Sequence, residues 1–240
     1  MFGLMLWALL GGLSHTFFDL FNSYGAKFFW PIINKKYSID LMNPVDPIFT
    51  LSLAGCVFTS GDIRKVCMYL FILYPVTRFI LRFAASKQIR KVFGQTSKKI
   101  SLLPSMTGLF RWHFVLEKDN CNIVGEKTMF RRNIRIIQKL NKIQDEILEK
   151  VHITYVGRVF MEITPIYHVI SEKIGSITRY VLIDMRYYTG NDFLHHAVLE
   201  VDENDYIVFS SFNAYSIKRV SNIPAPSEKT GTVFSRFVGF

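Results

Sequence analysis

An imidazole and a carboxylate stand four residues apart near the start of the chain, as His15 and Asp19. On an α-helix, residues i and i+4 occupy one face, so we expect the two side chains to lie side by side. They are the ionisable pair of an otherwise apolar run, residues 2–21. Such groups are costly in lipid unless a partner, a cavity or a metal ion compensates them, so this pair is the leading candidate site. The alternative is a structural hydrogen bond inside a helix bundle.

Three apolar segments are candidate transmembrane helices. The first, residues 2–21, approaches the length of about 20 residues that crosses a hydrocarbon core. The second, residues 47–59, is short enough to be tilted, re-entrant or interfacial. The third, residues 66–85, is long enough but contains one proline and two arginines. A secretory signal peptide is excluded for the first segment, since no basic residue precedes Lys27.

The basic residues orient these segments. If all three segments cross the membrane, residues 22–46 and the chain after residue 85 lie on one side of it, and the loop around Asp62 lies on the other side. The shared side carries eight basic residues near the membrane, against Arg64 and Lys65 opposite. Because positive charge marks the cytoplasmic face, we expect the C-terminal region to be cytoplasmic. The eight are Lys27, Lys35, Lys36, Lys87, Arg90, Lys91, Lys98 and Lys99.

Composition supports a membrane part joined to a water-facing part. Of 240 residues, 50% are hydrophobic and 20% charged, with a mean hydropathy of +0.21. The net charge of +10 would suggest nucleic acid as the partner of a soluble chain. Here the basic cluster at residues 87–99 follows an apolar segment, so the expected partner is a bilayer with anionic head groups, and no nucleic acid. The three cysteines are far apart and indicate neither a disulfide framework nor a thiolate zinc site.

The chain after the basic cluster predicts an α+β region. Residues 101–104 resemble a linker, and residues 109–117 and 121–126 predict two paired strands. Residues 127–151 have apolar side chains at three- and four-residue steps, which predicts one long amphipathic helix.

Four later segments, separated by turn-rich pieces, predict an antiparallel meander. The tail, residues 224–240, is expected to be flexible because it has few apolar residues to bury. The predicted strands are residues 166–170, 178–186, 193–201 and 206–212.

Motifs spread along the chain resemble the YdjM/YfhP-like family of bacterial membrane proteins. No single motif decides the match, but their order and spacing cover nearly the whole sequence. They are residues 12–25, Trp30-Pro31, residues 36–38, residues 45–50, Leu103-Pro104 followed by Trp112, residues 124–126, residues 183–187 and residues 197–202.

This resemblance implies a polytopic protein of the bacterial inner membrane with a cytoplasmic, β-rich C-terminal region. Family members are described as membrane-bound metal-dependent hydrolases. The resemblance therefore implies that His15 and Asp19 bind a divalent metal ion, zinc or manganese, that activates water. It does not indicate the substrate.

The sequence departs from the family pattern in one respect. Family members begin with further membrane helices that carry an Asp-rich segment and a His-Arg-Gly-x-Thr-His-Ser motif, both absent here. A hydrolytic metal centre typically has three or more protein ligands, and His15 with Asp19 supplies two. We therefore expect either the C-terminal portion of a longer protein or a truncated, inactive copy.

The other histidines have no metal-ligand spacing, and we expect them to be structural or surface residues. They are His113, His152, His168, His195 and His196.

Six further residues are candidate substrate-binding or structural positions. Asp184 and Arg186 would share one face of a strand, which favours pairing over phosphate binding by the arginine. Asp46 precedes Pro47 and is expected to cap a helix. The six are Asn22, Tyr24, Asp46, Trp112, Asp184 and Arg186.

Together these observations predict an α+β membrane protein. Residues 1–99 would hold two or three transmembrane helices, residues 100–223 a cytoplasmic α+β region with one long amphipathic helix, and residues 224–240 the tail. The leading function is metal-dependent hydrolysis at the membrane surface. The competing function is that of a non-catalytic membrane protein, regulatory or structural.

Overall fold

The computed structural model describes residues 2–106, 108–131, 133–189, 192–213 and 223–224. The chain divides into two compact units that alternate along the sequence. The predicted flexible tail lies outside the described residues, apart from Pro224. The first unit comprises Met1–Thr96, Ile100–Phe114 and Glu126–Arg135, and the second Ser97–Lys99, Val115–Gly125 and Ile136–Phe240.

Three helices belong to the first unit: α1 (Phe2–Asp19), α2 (Pro47–Phe58) and α3 (Gly61–Phe93). Within the described part of the chain, α3 is the one helix long and apolar enough to cross a membrane, and α2 is apolar but has 12 residues. The first and second predicted spans, residues 2–21 and 47–59, therefore stay a prediction, whereas the third lies within α3. Helix α3 also exceeds the predicted segment, because the basic cluster is rich in strong helix formers and continues it.

A tight turn joins α2 to α3. Gly61 has φ of 61°, a left-handed conformation that glycine adopts without steric penalty. Helix α1 packs on both of these helices through Phe18, whose ring centroid lies 5.5 Å from that of Phe49 and 5.9 Å from that of Phe71. These aromatic contacts fix the last turn of α1, where the candidate pair lies.

Four strands follow, β1 (Lys99–Pro104), β2 (Arg111–Glu117), β3 (Cys121–Thr128) and β4 (Ile134–Asn141), in the order β1-β2-β3-β4. Strands β2 and β3 confirm the predicted pair. The predicted linker at residues 101–104 was wrong, since it forms β1. Leu102 and Leu103 are buried there, and the free energy of burying two leucines outweighs the turn signal of Pro104.

The predicted amphipathic helix over residues 127–151 was also wrong. The segment contains strand β4 and then helix α4 (Asp145–Ile153). The three- and four-residue steps run unbroken across both elements, so periodicity alone could not find the boundary. The β-branched cluster from Ile134 to Ile137 favours a strand, and β3 supplies it with a hydrogen-bonding partner.

The second unit is built on a five-stranded sheet in which every pair is antiparallel. Its strands are β5 (Tyr167–Ile174), β6 (Ile177–Asp184), β9 (His196–Val201), β10 (Ile207–Asn213) and β11 (Ile223–Pro224), in the order β11-β10-β9-β6-β5. This confirms the predicted meander. Helix α5 (Tyr155–Ile163), which was not predicted, packs on β9 and β10 and buries Val156 and Phe160 against Leu199 in the core. A separate pair is formed by β7 (Tyr188–Thr189) and β8 (Asp192–Phe193).

Candidate functional site

The last turn of α1 brings the predicted pair together. Nε2 of His15 lies 3.7 Å from Oδ2 of Asp19, with 79% of the His15 side chain and 37% of the Asp19 side chain exposed. The helical spacing predicted this adjacency. The sequence did not predict the exposure of these side chains. They lie on an open face of α1 and not inside a helix bundle.

Asn22 orients the carboxylate of Asp19 and closes the end of α1. Its Nδ2 donates to Oδ1 of Asp19 at 3.1 Å, which leaves Oδ2 on the side of His15. Its Oδ1 accepts from the backbone N–H groups of Tyr24 at 2.8 Å and Gly25 at 3.0 Å. Asn22 therefore fixes the orientation of the Asp19 carboxylate and joins it to the turn that follows α1.

Gly25 holds the turn that follows. It has φ of +66°, and a Cβ added there would lie 2.4 Å from the carbonyl oxygen of Tyr37. The next residue, Ala26, forms an isolated antiparallel bridge with Tyr37. The turn after α1 is therefore fixed by backbone contacts, and the Tyr24 side chain beside it is 42% exposed.

Asp46 caps α2, as predicted. Its Oδ1 accepts from the N–H groups of Ile48 and Phe49, and its Oδ2 accepts from the Tyr74 hydroxyl at 2.8 Å. The carboxylate is buried, with 3% of the residue exposed. All of its observed partners are structural ones, so the geometry does not indicate substrate binding here.

Arg78 of α3 is a buried cation that sequence reasoning did not single out as a site. Its guanidinium lies 4.4 Å from the centre of the Trp112 ring, and it donates to the backbone carbonyls of Leu41 and Leu109. The sequence signal that could have found it is an arginine within an apolar segment, because such an arginine usually has a specific partner. Trp112 is therefore a stacking surface for this cation.

Asp184 and Arg186 form a buried ion pair. The nearest guanidinium nitrogen lies 2.7 Å from Oδ2 of Asp184, and Arg186 also donates to the carbonyl of Ile163. The predicted pairing of these side chains is therefore observed. Their placement in one strand was wrong, because β6 ends at Asp184 and the aspartate accepts from the Arg186 N–H in the turn that follows.

The remaining histidines have local partners or buried surroundings. Burial lowers the pKa of His113 and that of His168 to about 4 each, so both rings are neutral near pH 7. Nε2 of His152 lies 2.9 Å from the Tyr167 hydroxyl. Across the described ranges, no group of three or more His, Cys, Asp or Glu side chains could hold a metal ion.

Comparison with known proteins finds family matches for an N-terminal and a C-terminal part of the chain. Residues 1–88 match the model of the YdjM inner membrane protein, and residues 146–222 match that of the YfhP C-terminal alpha/beta plait domain. The chain is 21% identical over 222 residues to the Bacillus subtilis (strain 168) protein "Uncharacterized protein YfhP". This match covers 88% of the chain and 66% of that protein, so the chain spans just under two thirds of its relative.

No solved structure matches the chain. The two family models appear in the order in which the sequence resemblance placed them, with the His15–Asp19 pair inside the first. The chain belongs to the YdjM/YfhP-like family of membrane proteins.

Proposed function

We propose that the protein is a membrane-bound, metal-dependent hydrolase in which His15 and Asp19 are two ligands of a divalent ion, zinc or manganese. The observation that carries the proposal is the 3.7 Å separation of His15 Nε2 and Asp19 Oδ2 on one face of α1. Two donors bound to zinc at about 2.0–2.1 Å with a tetrahedral angle lie about 3.3 Å apart. A small rotation of either side chain would reach that distance.

Exposure of the pair leaves room for further ligands. A hydrolytic site needs at least a third protein ligand and a position for water. We infer that the further ligands come from outside the described residues, either from a longer form of the protein or from a second chain. Bound there, the metal ion would supply an activated water, while Asn22 would keep the Asp19 carboxylate oriented.

The orientation in the membrane is part of the same proposal. Lys87, Arg90 and Lys91 are exposed near the end of α3, and none forms an ion pair within the described ranges. Lys98 and Lys99, by contrast, pair with Asp119 and Glu117. The three exposed cations would contact anionic head groups of the cytoplasmic leaflet of the inner membrane.

Metal content tests the proposed site. We expect the full-length form of the protein, purified in detergent, to hold about one zinc or manganese ion per chain, and its double variant His15→Ala with Asp19→Ala to hold none, because both ligand groups are removed. The measurement is elemental analysis after gel filtration. A matched control, His152→Ala with Asp62→Ala, should keep its metal. Equal metal content in the two double variants would contradict the proposal.

A non-catalytic membrane protein is the second candidate function. The observation that favours it is that the described residues bring together two ligand groups at the site, not three. A panel of nitrophenyl esters and phosphodiesters separates the two candidates. Hydrolysis that stops on chelation and in the double variant supports the hydrolase, whereas bound metal without hydrolysis supports a regulatory or structural role.

A further inference from the structure

The second unit contains a cavity of about 190 Å³ that the proposed hydrolase does not use. It is lined by the end of β2, the start of β3, the segment that enters α4 and the start of β5. Pockets for drug-sized ligands have volumes of about 300–1,000 Å³, so this one fits a smaller molecule. Lys142 and Asp145 line it and are exposed, which leaves the cavity open to solvent.

Charged groups of both signs line the cavity. Glu117 and Asp145 contribute carboxylates, and Lys142 contributes an ammonium group. Burial raises the pKa of Tyr167, and the charge of the Glu117 carboxylate raises it further. The Glu117 carboxylate is therefore close to Tyr167. Glu117 is itself held in place by Lys99 Nζ at 3.3 Å.

A buried amide lies in the cavity wall. Asn122 is 4% exposed, and its Nδ2 lies 3.1 Å from Nδ1 of His168. The His168 side chain also forms a hydrogen bond with the backbone of Asn141. Oδ1 of Asn122 is buried and has no hydrogen-bond partner among the residues the structure describes. This oxygen is closed to solvent, so it belongs to the wall behind the cavity lining and is not a contact for a ligand.

The rest of the lining is apolar. It comes from side chains on both sides of the cavity, so a ligand with a small aliphatic group would remove apolar surface from water. These residues are Ile143, Leu148, Pro165, Ile166 and Val169.

We propose that this cavity binds a small zwitterion of the free α-amino acid class with an aliphatic side chain. The ammonium group of the ligand meets the carboxylates of Glu117 and Asp145. Its carboxylate meets Lys142, and its side chain meets the apolar lining. The neutral His168 ring adds no positive charge that would repel the ligand's ammonium group.

Titration calorimetry on the full chain in detergent tests the ligand class with three related molecules. L-leucine has both charged groups, 3-methylbutylamine lacks the carboxylate, and 4-methylpentanoate lacks the ammonium group. Since each charge-assisted contact contributes to affinity, we expect leucine to bind at least about tenfold more tightly than either analogue. Equal affinity of the amine and leucine would overturn the proposal. So would the absence of binding by every aliphatic amino acid at millimolar concentration.

Two charge-removing variants locate the site, each with a neighbouring control. Asp145→Asn should weaken leucine and the amine about tenfold and leave the acid unchanged, and Lys142→Gln should weaken leucine and the acid. Glu146→Gln and Lys139→Gln remove exposed charges of the same sign that do not line the cavity, so they should leave affinity unchanged. If a control weakens binding as much as its partner, the ligand binds elsewhere and the proposal fails.

Discussion

Arg78 illustrates how one residue organises the first unit. Its guanidinium stacks on Trp112 and donates to two backbone carbonyls, of Leu41 and Leu109, so two separate pieces of chain are held to α3 by one planar group. A lysine has no planar fork and could not make these contacts together. The charge that made the third apolar segment an uncertain membrane helix therefore has a structural role.

Replacing Arg78 by methionine should strongly destabilise the protein. The variant keeps an unbranched side chain but leaves the two carbonyls without their donor, and it removes the cation that interacts with the Asp46 carboxylate. We expect a loss of about 3 kcal/mol in the free energy of unfolding, seen as a lower thermal midpoint in detergent. Arg64→Met, an exposed arginine of the same helix, is the control and should change it by less than about 1 kcal/mol. Similar midpoints for the two variants would contradict this role.

At the scale of elements, the sequence predicted those whose pattern is local. Strand β2, the pairing of β3, the meander and the cap at Asp46 follow from alternation, turn residues and the Asp-Pro dipeptide. Helix α4 and strand β4 were merged into one helix because their apolar steps are compatible with both periods, and only pairing with β3 decides between them. The same limit applies to the site. Helical spacing predicts that His15 and Asp19 are neighbours, but the exposed fraction of their side chains depends on what packs around α1.

The junction of α4 and α5 depends on a glycine. A Cβ added at Gly157 would lie 1.8 Å from the carbonyl oxygen of Val151 and 3.0 Å from Oγ1 of Thr154, the cap of α5. Gly157→Ala should therefore shift α5 and lower the free energy of unfolding by about 2–3 kcal/mol, measured by denaturant titration. At Gly108 an added Cβ would make an ordinary contact, 3.5 Å from Arg111 Cβ, so Gly108→Ala should have little effect. A neutral Gly157→Ala variant would show that the junction is not this tight.

At the scale of the whole molecule, contacts within the first unit bear on its arrangement across a membrane. The loop between α1 and α2 and strand β1 both contact the second half of α3. Arg82 of α3 has one guanidinium nitrogen 4.0 Å from Asp40 in the loop and 3.3 Å from the carbonyl of Leu102 in β1. If α3 crosses a membrane, the loop and the strand therefore share one side, as the distribution of basic residues predicts. The lysines of the loop and the exposed cations of α3 then lie on the same side of the membrane. Because an excess of basic residues marks the cytoplasmic side, we infer that this side is cytoplasmic.

Reporter fusions to the full chain test this topology. A green fluorescent protein at the C-terminus should fluoresce, and an alkaline phosphatase there should be inactive, because the first folds in the cytoplasm and the second requires export. A phosphatase inserted at the turn between α2 and α3, next to Ser60, should be active, since that turn would lie on the opposite side with Arg64 and Lys65. An active C-terminal phosphatase would place the exposed cations outside and contradict the charge argument. Inactivity at both positions, with a fluorescent C-terminal fusion, would mean that α3 does not cross the membrane.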